Sequence, residues 1–187
     1  MSTYIQVHYH IIFGTKFRTP CLEKDNREQL FRYIWGVLKN NKCHLYRING
    51  IEDHVHILTH IHPTVALSSL VKDIKLASNS FIKKENLFKE FQGWQKGYAA
   101  FTHHINDKAR LIRYIKDQEE HHKQISWSQE LKTLLEEHKI PFEEKYLLEI
   151  NPHTGRTHPE NIYKVQKELK EQRLLQRRTP GDAIDNQ

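Results

Sequence analysis

The chain has 187 residues, 37% of them hydrophobic and 28% charged, with 29 Lys and Arg against 23 Asp and Glu and a net charge of +6. That composition fits a soluble globular domain with an appendage, and no run reaches the roughly 20 apolar residues that a membrane-spanning helix needs. Two cysteines, Cys21 and Cys43, are too few for a disulfide framework, a CxxC redox pair or a four-cysteine zinc site, while a pI of about 9.2 points to an acidic partner, nucleic acid first.

The N-terminus lacks the basic start, apolar stretch and cleavage site of a secretory signal, so a cytoplasmic protein is expected. From Tyr4 to Phe13 the residues alternate, with Ile5, Val7, Tyr9, Ile11 and Phe13 on one face and Gln6, His8 and His10 on the other. This is the pattern of a half-buried strand. Lys16, Phe17, Arg18, Thr19 and Pro20 form a basic loop, after which Leu30, Phe31, Ile34, Val37 and Leu38 recur at helical spacing between about Glu23 and Asn40. Two short apolar segments, roughly 43–48 and 55–59, flank Asn49-Gly50, a turn dipeptide, and should pair as an antiparallel hairpin.

Pro63 can open a second helix, whose apolar stripe is Leu67, Leu70, Val71, Ile74 and Phe81 and whose solvent side carries Lys72, Lys75, Lys83 and Lys84. Trp94 to Phe101 suits a strand, and Asn106 or Asp107 caps a helix that runs to about His122 with Leu111, Ile112 and Ile115 on its buried side. The order strand, helix, strand, strand, helix, strand, helix predicts an α+β fold: a ferredoxin-like sandwich with an antiparallel sheet and helices packed on one face. Ser126-Trp127-Ser128-Gln129 reads as a capping box for a further helix to about His138. The domain should close near residue 150, leaving 151–187 as a polar, charged tail, partly helical or mobile.

Fourteen histidines stand out, several of them paired. In a strand, two histidines one residue apart project from the same face about 7 Å apart at the α-carbons, given a rise of about 3.3 Å per residue, and both can reach one divalent ion. Spacing alone leaves His8/His10, His54/His56 and His60/His62 open, and each pair needs a third ligand. Tyr114 and Gln118 lie four residues apart on one helix face, with His121 and His122 extending the stripe. A tyrosine hydroxyl, with a reference pKa of about 10, is a poor nucleophile near neutrality and needs an activated target. An ion held by neutral imidazoles and an amide keeps its charge and can polarise a phosphodiester. His54, His56, Gln118 and Tyr114 therefore make a complete set for metal-assisted attack of tyrosine on DNA phosphate.

These residues carry a family resemblance. The run Tyr4 to Phe13 followed by Lys16 and Arg18, then Glu52-Asp53-His54-Val55-His56-Ile57-Leu58, then Tyr114-Ile115-Lys116-Asp117-Gln118, resembles the single-tyrosine HUH transposases, where HUH is His, a hydrophobic residue, His. This is the TnpA type of minimal bacterial insertion sequences, with the REP-associated tyrosine transposases as relatives. The likeness spans roughly residues 4–148 and implies a homodimer that cuts and rejoins single-stranded DNA at hairpin-bearing element ends. It implies Tyr114 as the nucleophile, a 5′-phosphotyrosine intermediate, resealing with no nucleotide cofactor, and His54, His56 and Gln118 as ligands of Mg²⁺ or Mn²⁺. Whether Tyr114 serves its own protomer's histidines or the partner's stays open.

Lys16, Arg18, Lys72, Lys75, Lys83, Arg110 and Arg113 are the expected DNA contacts, and His8, His10 and His121 are candidates for supporting the ligands. Two rival readings stand beside it: a non-catalytic hairpin DNA- or RNA-binding regulator with the same fold, and a nickase of the relaxase or replication-initiator type that shares the chemistry. A lone tyrosine helix following the HUH motif favours the transposase, working in the cytoplasm at the nucleoid.

Overall fold

A computed structural model describes residues 4–143. Four strands, β1 (His8–Gly14), β2 (His44–Gly50), β3 (His54–His60) and β4 (Ala99–Thr102), make one antiparallel sheet in the order β2-β3-β1-β4. Two long helices, α1 (Lys24–Asn40) and α2 (Leu67–Lys84), connect β1 to β2 and β3 to β4, which is the ferredoxin-like order read from the sequence. Both pack on one face, as expected. Leu30, Ile34 and Leu38 of α1 and Leu70, Ile74 and Ile82 of α2 are fully buried against Ile11, Phe13, Val55 and Ile57 of the two central strands. Each such aliphatic side chain contributes about 1.5–3 kcal/mol by leaving water, so this layer is the main source of stability.

The remaining helices, α3 (Lys108–Lys116), α4 (Gln118–His121) and α5 (Trp127–Glu137), follow β4. Leu111 and Ile115 of α3 pack on Leu58, and Leu131, Leu134 and Leu135 of α5 cover Ile12, Ala99 and Phe101. Leu58 and Ile12 alternate with Ile57 and Ile11, so these helices occupy the other face of the sheet. The central strands are thereby covered on both sides, and β1 is buried from His10 to Gly14 instead of half-buried. Ser126 caps α5 as its motif predicts, accepting a hydrogen bond from the Gln129 backbone N–H.

Several local expectations are corrected. Asn49-Gly50 does not form the hairpin turn; both residues remain in β2, opposite His56 and Val55, and Ile51, Glu52 and Asp53 make the connection. The Glu52 carbonyl accepts from the backbone N–H groups of both Cys21 and Leu22, which fixes the turn three residues later than the dipeptide suggests. Gly50 is needed there for space, since a Cβ would run into the His54 carbonyl oxygen. Helix α2 starts at Leu67, four residues after Pro63, and the strand expected over 94–101 is instead Ala99–Thr102, apart from a single bridge between Trp94 and Thr15. The tyrosine helix ends at Lys116, and Asp117 breaks it before Gln118. The predicted domain limit near residue 150 and the tail 151–187 lie outside the described residues.

Candidate active site

The face of β3 turned toward α3–α5 carries His54 and His56, both fully buried. Strand alternation places both imidazoles on that face, and the neighbouring β1 adds His10 from the same side. His10 Nε2 lies 2.9 Å from His56 Nδ1. His54 Nδ1 donates to Asp53 Oδ1 at 2.7 Å, and Arg18 Nη2 donates to Asp53 Oδ2 at the same distance. Arg18 reaches Asp53 across Gly14, where a Cβ would meet its guanidinium. With each Nδ1 engaged, the Nε2 atoms of His54 and His56 turn inward, and neither has a hydrogen-bond partner.

The second half of the site comes from α3–α5. Tyr114, at the end of α3, donates its hydroxyl hydrogen bond to Glu130 Oε1, and Gln118 Nε2 donates to the same oxygen at 3.1 Å. Helix α5 presents Glu130 from its sheet-facing side, where its residue is 3% exposed. The other carboxylate oxygen, Oε2, stands 3.7 Å from His54 Nε2, 3.5 Å from His56 Nε2 and 3.2 Å from His122 Nε2. His122 in turn donates from Nδ1 to the Ile125 carbonyl at 2.9 Å. Ligand atoms of His54, His56, His122 and Glu130 all fall within 4.8 Å of one another, a grouping able to hold a metal ion.

Burial and neighbours set the charge states. Burial drops the His54 imidazole to about 3 despite its bond to Asp53, keeping it neutral. Burial also opposes ionisation of Glu130, yet the surrounding imidazoles, His122 and His56 first, hold its carboxyl well below the usual range. At His122 burial works against protonation, but the Glu130 carboxylate outweighs it and raises the pKa. Burial, followed by the Glu130 charge, pushes the Tyr114 phenol far above its ordinary value. Ionising Tyr114 therefore requires an added positive charge nearby.

The sequence-predicted site residues divide between two fates. His54, His56, Tyr114 and Gln118 come together, with the rings of His56 and Tyr114 6.1 Å apart, and His10 and His121 border them. His8 instead lies against Tyr46, farther along β1. Arg18 is engaged with Asp53, and Lys75 Nζ donates to the Gln95 and Gly97 carbonyls at 3.0 and 2.6 Å, holding the chain before β4. Lys16, Lys72, Lys83 and Arg113 are exposed, as is Arg110 beside Asp107. Trp94 packs edge-on against Phe13 and Phe91 in the core. A cavity of about 260 Å³, lined by His103, Arg110, Tyr114, His121 and Glu130 among others, opens at the tyrosine.

Sequence reasoning missed Asp53 and Glu130 as members of the site and saw His122 only as an extension of the Tyr114 and Gln118 stripe. Glu130 had a signal: Trp127, Leu131, Leu134 and Leu135 form the apolar stripe of α5, and Glu130 is the acid that falls within it.

The chain is similar to known proteins. A family model described as IS200-like transposase matches residues 3–118. The ISDra2 transposase TnpA of Deinococcus radiodurans is 27% identical over 118 residues, covering 60% of this chain and 84% of that protein. Among solved structures, a REP-associated tyrosine transposase bound to a REP hairpin superposes with a TM-score of 0.51 at 16% identity, over 67% of this chain and 76% of that one. A structure described as that of a putative transposase of Deinococcus radiodurans gives a TM-score of 0.49 at 23% identity, over 63% and 95% of the two chains.

Proposed function

We propose a reaction for this chain from one premise: it belongs to the IS200-like transposase family and is a transposase. The reaction is cleavage and rejoining of single-stranded DNA at hairpin-bearing element ends, with Tyr114 as nucleophile and a 5′-phosphotyrosine intermediate. The observation that carries this reading is the meeting of Tyr114, from α3, with the His54/His56 pair, from β3, around one buried carboxylate.

In this reading His54, His56 and Gln118 hold a divalent ion, Mg²⁺ or Mn²⁺. The donor set fits, because the Nε2 atoms of both histidines and Oε1 of Gln118 are buried without a hydrogen-bond partner. When bound, the ion supplies polarisation of the phosphodiester and stabilisation of the leaving oxygen. Tyr114 Oη forms its bond to phosphorus as the bond to the 3′-oxygen breaks. Glu130, already its hydrogen-bond acceptor, orients the hydroxyl, the phenolic proton passes to water, and the 3′-oxygen leaves as a hydroxyl with a proton from water. The phosphotyrosine link conserves the energy of the phosphodiester, so a later 3′-hydroxyl reseals the strand without a nucleotide cofactor.

Tyr114 reaches the histidines of its own chain, which supports assembly of the site within one protomer of a homodimer. The hairpin-bound state of the REP-associated relative supports a folded single strand as substrate, met in the cytoplasm at the nucleoid. Lys16, Lys72, Lys83, Arg110 and Arg113 are the exposed cations available for phosphate. The test is cleavage of labelled single strands from the flanks of the gene. Product should form with Mn²⁺ or Mg²⁺, vanish with chelator and vanish in His56→Ala; cleavage that persists in chelator would overturn the metal-dependent reading.

A further inference from the structure

We infer that His122 and Glu130, both beyond the stretch that matches the family, are two additional metal ligands, and that Glu130 ties the nucleophile to the ion by holding Tyr114 with its other oxygen. The inference rests on the metal-dependent reading above and deepens it.

Hydrogen-bond bookkeeping leads to it. A carboxylate and a carbonyl oxygen only accept, so Nδ1 of His54, facing Asp53, and Nδ1 of His122, facing Ile125, must each carry a hydrogen. In the neutral imidazole the lone pair then sits on Nε2. His56 Nδ1 lies 2.9 Å from His10 Nε2, which leaves its Nε2 facing the same centre. Three Nε2 atoms and Glu130 Oε2 consequently face one another, all buried and none with a hydrogen-bond partner. A buried carboxylate facing three imidazole nitrogens is a donor set that one cation would satisfy. Partners that fix the distal nitrogen are also the usual support of metal-bound histidine.

The spacing agrees. Glu130 Oε2 lies 3.7, 3.5 and 3.2 Å from the Nε2 atoms of His54, His56 and His122, and the ligand atoms of all four residues fall within 4.8 Å of one another, close enough to share one ion. The fold holds these donors firmly. His122 is fixed by the tight turn after α4, and Glu130 by the packing of Leu131, Leu134 and Leu135 on Ile12 and Phe101. A donor set rich in imidazole suits Mn²⁺ better than Mg²⁺, which prefers oxygen ligands.

Glu130 then has a second task. Oε1 accepts from both Tyr114 Oη and Gln118 Nε2, so the carboxylate that faces the ion with one oxygen positions the nucleophile with the other. This couples occupancy of the metal site to the placement of Tyr114.

The test is calorimetric titration of the full chain with Mn²⁺ alone, for wild type, His54→Ala, His122→Ala and Glu130→Gln, with circular dichroism as the check on folding. Should either of the last two fail to fold, His122→Gln and Glu130→Asp take their place. Loss of a true ligand should weaken Mn²⁺ binding at least tenfold, and pulsed electron paramagnetic resonance of the Mn²⁺ complex should lose one imidazole nitrogen coupling in the His122 variant. If His54→Ala abolishes binding while the His122 and Glu130 variants stay within twofold of wild type, the two residues form only an ion pair. The inference then fails and the metal-dependent reading stands. If His54→Ala also binds normally, that reading fails too.

Discussion

Asp53 accepts the Nδ1 hydrogen of His54 at 2.7 Å, and that bond decides which imidazole nitrogen faces the centre of the site. Arg18 holds the other oxygen of Asp53, so a residue expected from the sequence to touch DNA is committed to the histidine's support. Such supporting partners typically change metal affinity 10–100-fold when removed. Asp53→Asn should therefore weaken Mn²⁺ binding by that range without unfolding the chain. An affinity equal to wild type in titration calorimetry would show that His54 needs no anchor.

Two glycines should respond oppositely to alanine. At Gly50 a Cβ collides with the His54 carbonyl, so Gly50→Ala must push β2 away from β3 and should cost about 1–3 kcal/mol, the usual range for overpacking. Gly36 lies within α1 with open space around its Cβ position, so Gly36→Ala should gain about 0.4–1 kcal/mol by restricting the unfolded chain. Urea unfolding of both variants checks the pair; a stabilised Gly50→Ala would contradict the packing of β2 on β3.

The lysines of α2 should separate into two classes. Lys72 and Lys83 are exposed, and replacing each with alanine should weaken single-strand binding and lower the salt slope by about one charge apiece if both contact phosphate. Lys75 bonds the carbonyls of Gln95 and Gly97, so Lys75→Ala should lower the melting temperature. Fluorescence anisotropy across a salt series, with thermal melts, distinguishes these outcomes. A salt slope unchanged in the Lys72 and Lys83 variants would remove α2 from the DNA interface.

Cys21 should be inert while the chain is folded. Burial, reinforced by nearby carboxylates, raises its thiol to about 12. At pH 8 its thiolate population should be on the order of a thousandfold below that of a free cysteine, and its alkylation in a Cys43→Ala background correspondingly slow until denaturant is added. The sign for stability follows. The unfolded thiol ionises near 9 and the folded one only near 12, so this group's contribution is fully present below pH 9 and lost as pH rises toward 12. Rapid labelling of the folded chain at pH 8 would contradict the burial of Cys21.

Much of this arrangement is legible in the sequence because it is periodic or local. Leu30, Ile34 and Leu38 announce α1 by their spacing, and alternation puts His54 and His56 on one side of β3 before any partner is known. Tyr114 and Gln118 stay together although Asp117 breaks the helix between them, because both remain within reach of Glu130. The misplaced turn has a long-range cause: Glu52 is fixed by Cys21 and Leu22, some thirty residues away. The roles of Glu130 and His122 beside β3 were hidden for the same reason. Their partners lie on β3, more than sixty residues earlier, and only folding of α5 onto the second face of the sheet brings them together.

The most direct measurement is to incubate the chain and its Tyr114→Phe variant with labelled single-stranded DNA from the gene's flanks and Mn²⁺, then resolve the products on a denaturing gel. The peptide carrying the label is identified by mass spectrometry. Tyrosine transesterification by this transposase requires a covalent adduct on Tyr114 that is absent in the variant, while hairpin binding persists in both. An adduct that survives Tyr114→Phe, or tight hairpin binding with no adduct from any cognate strand, would contradict Tyr114 as the nucleophile.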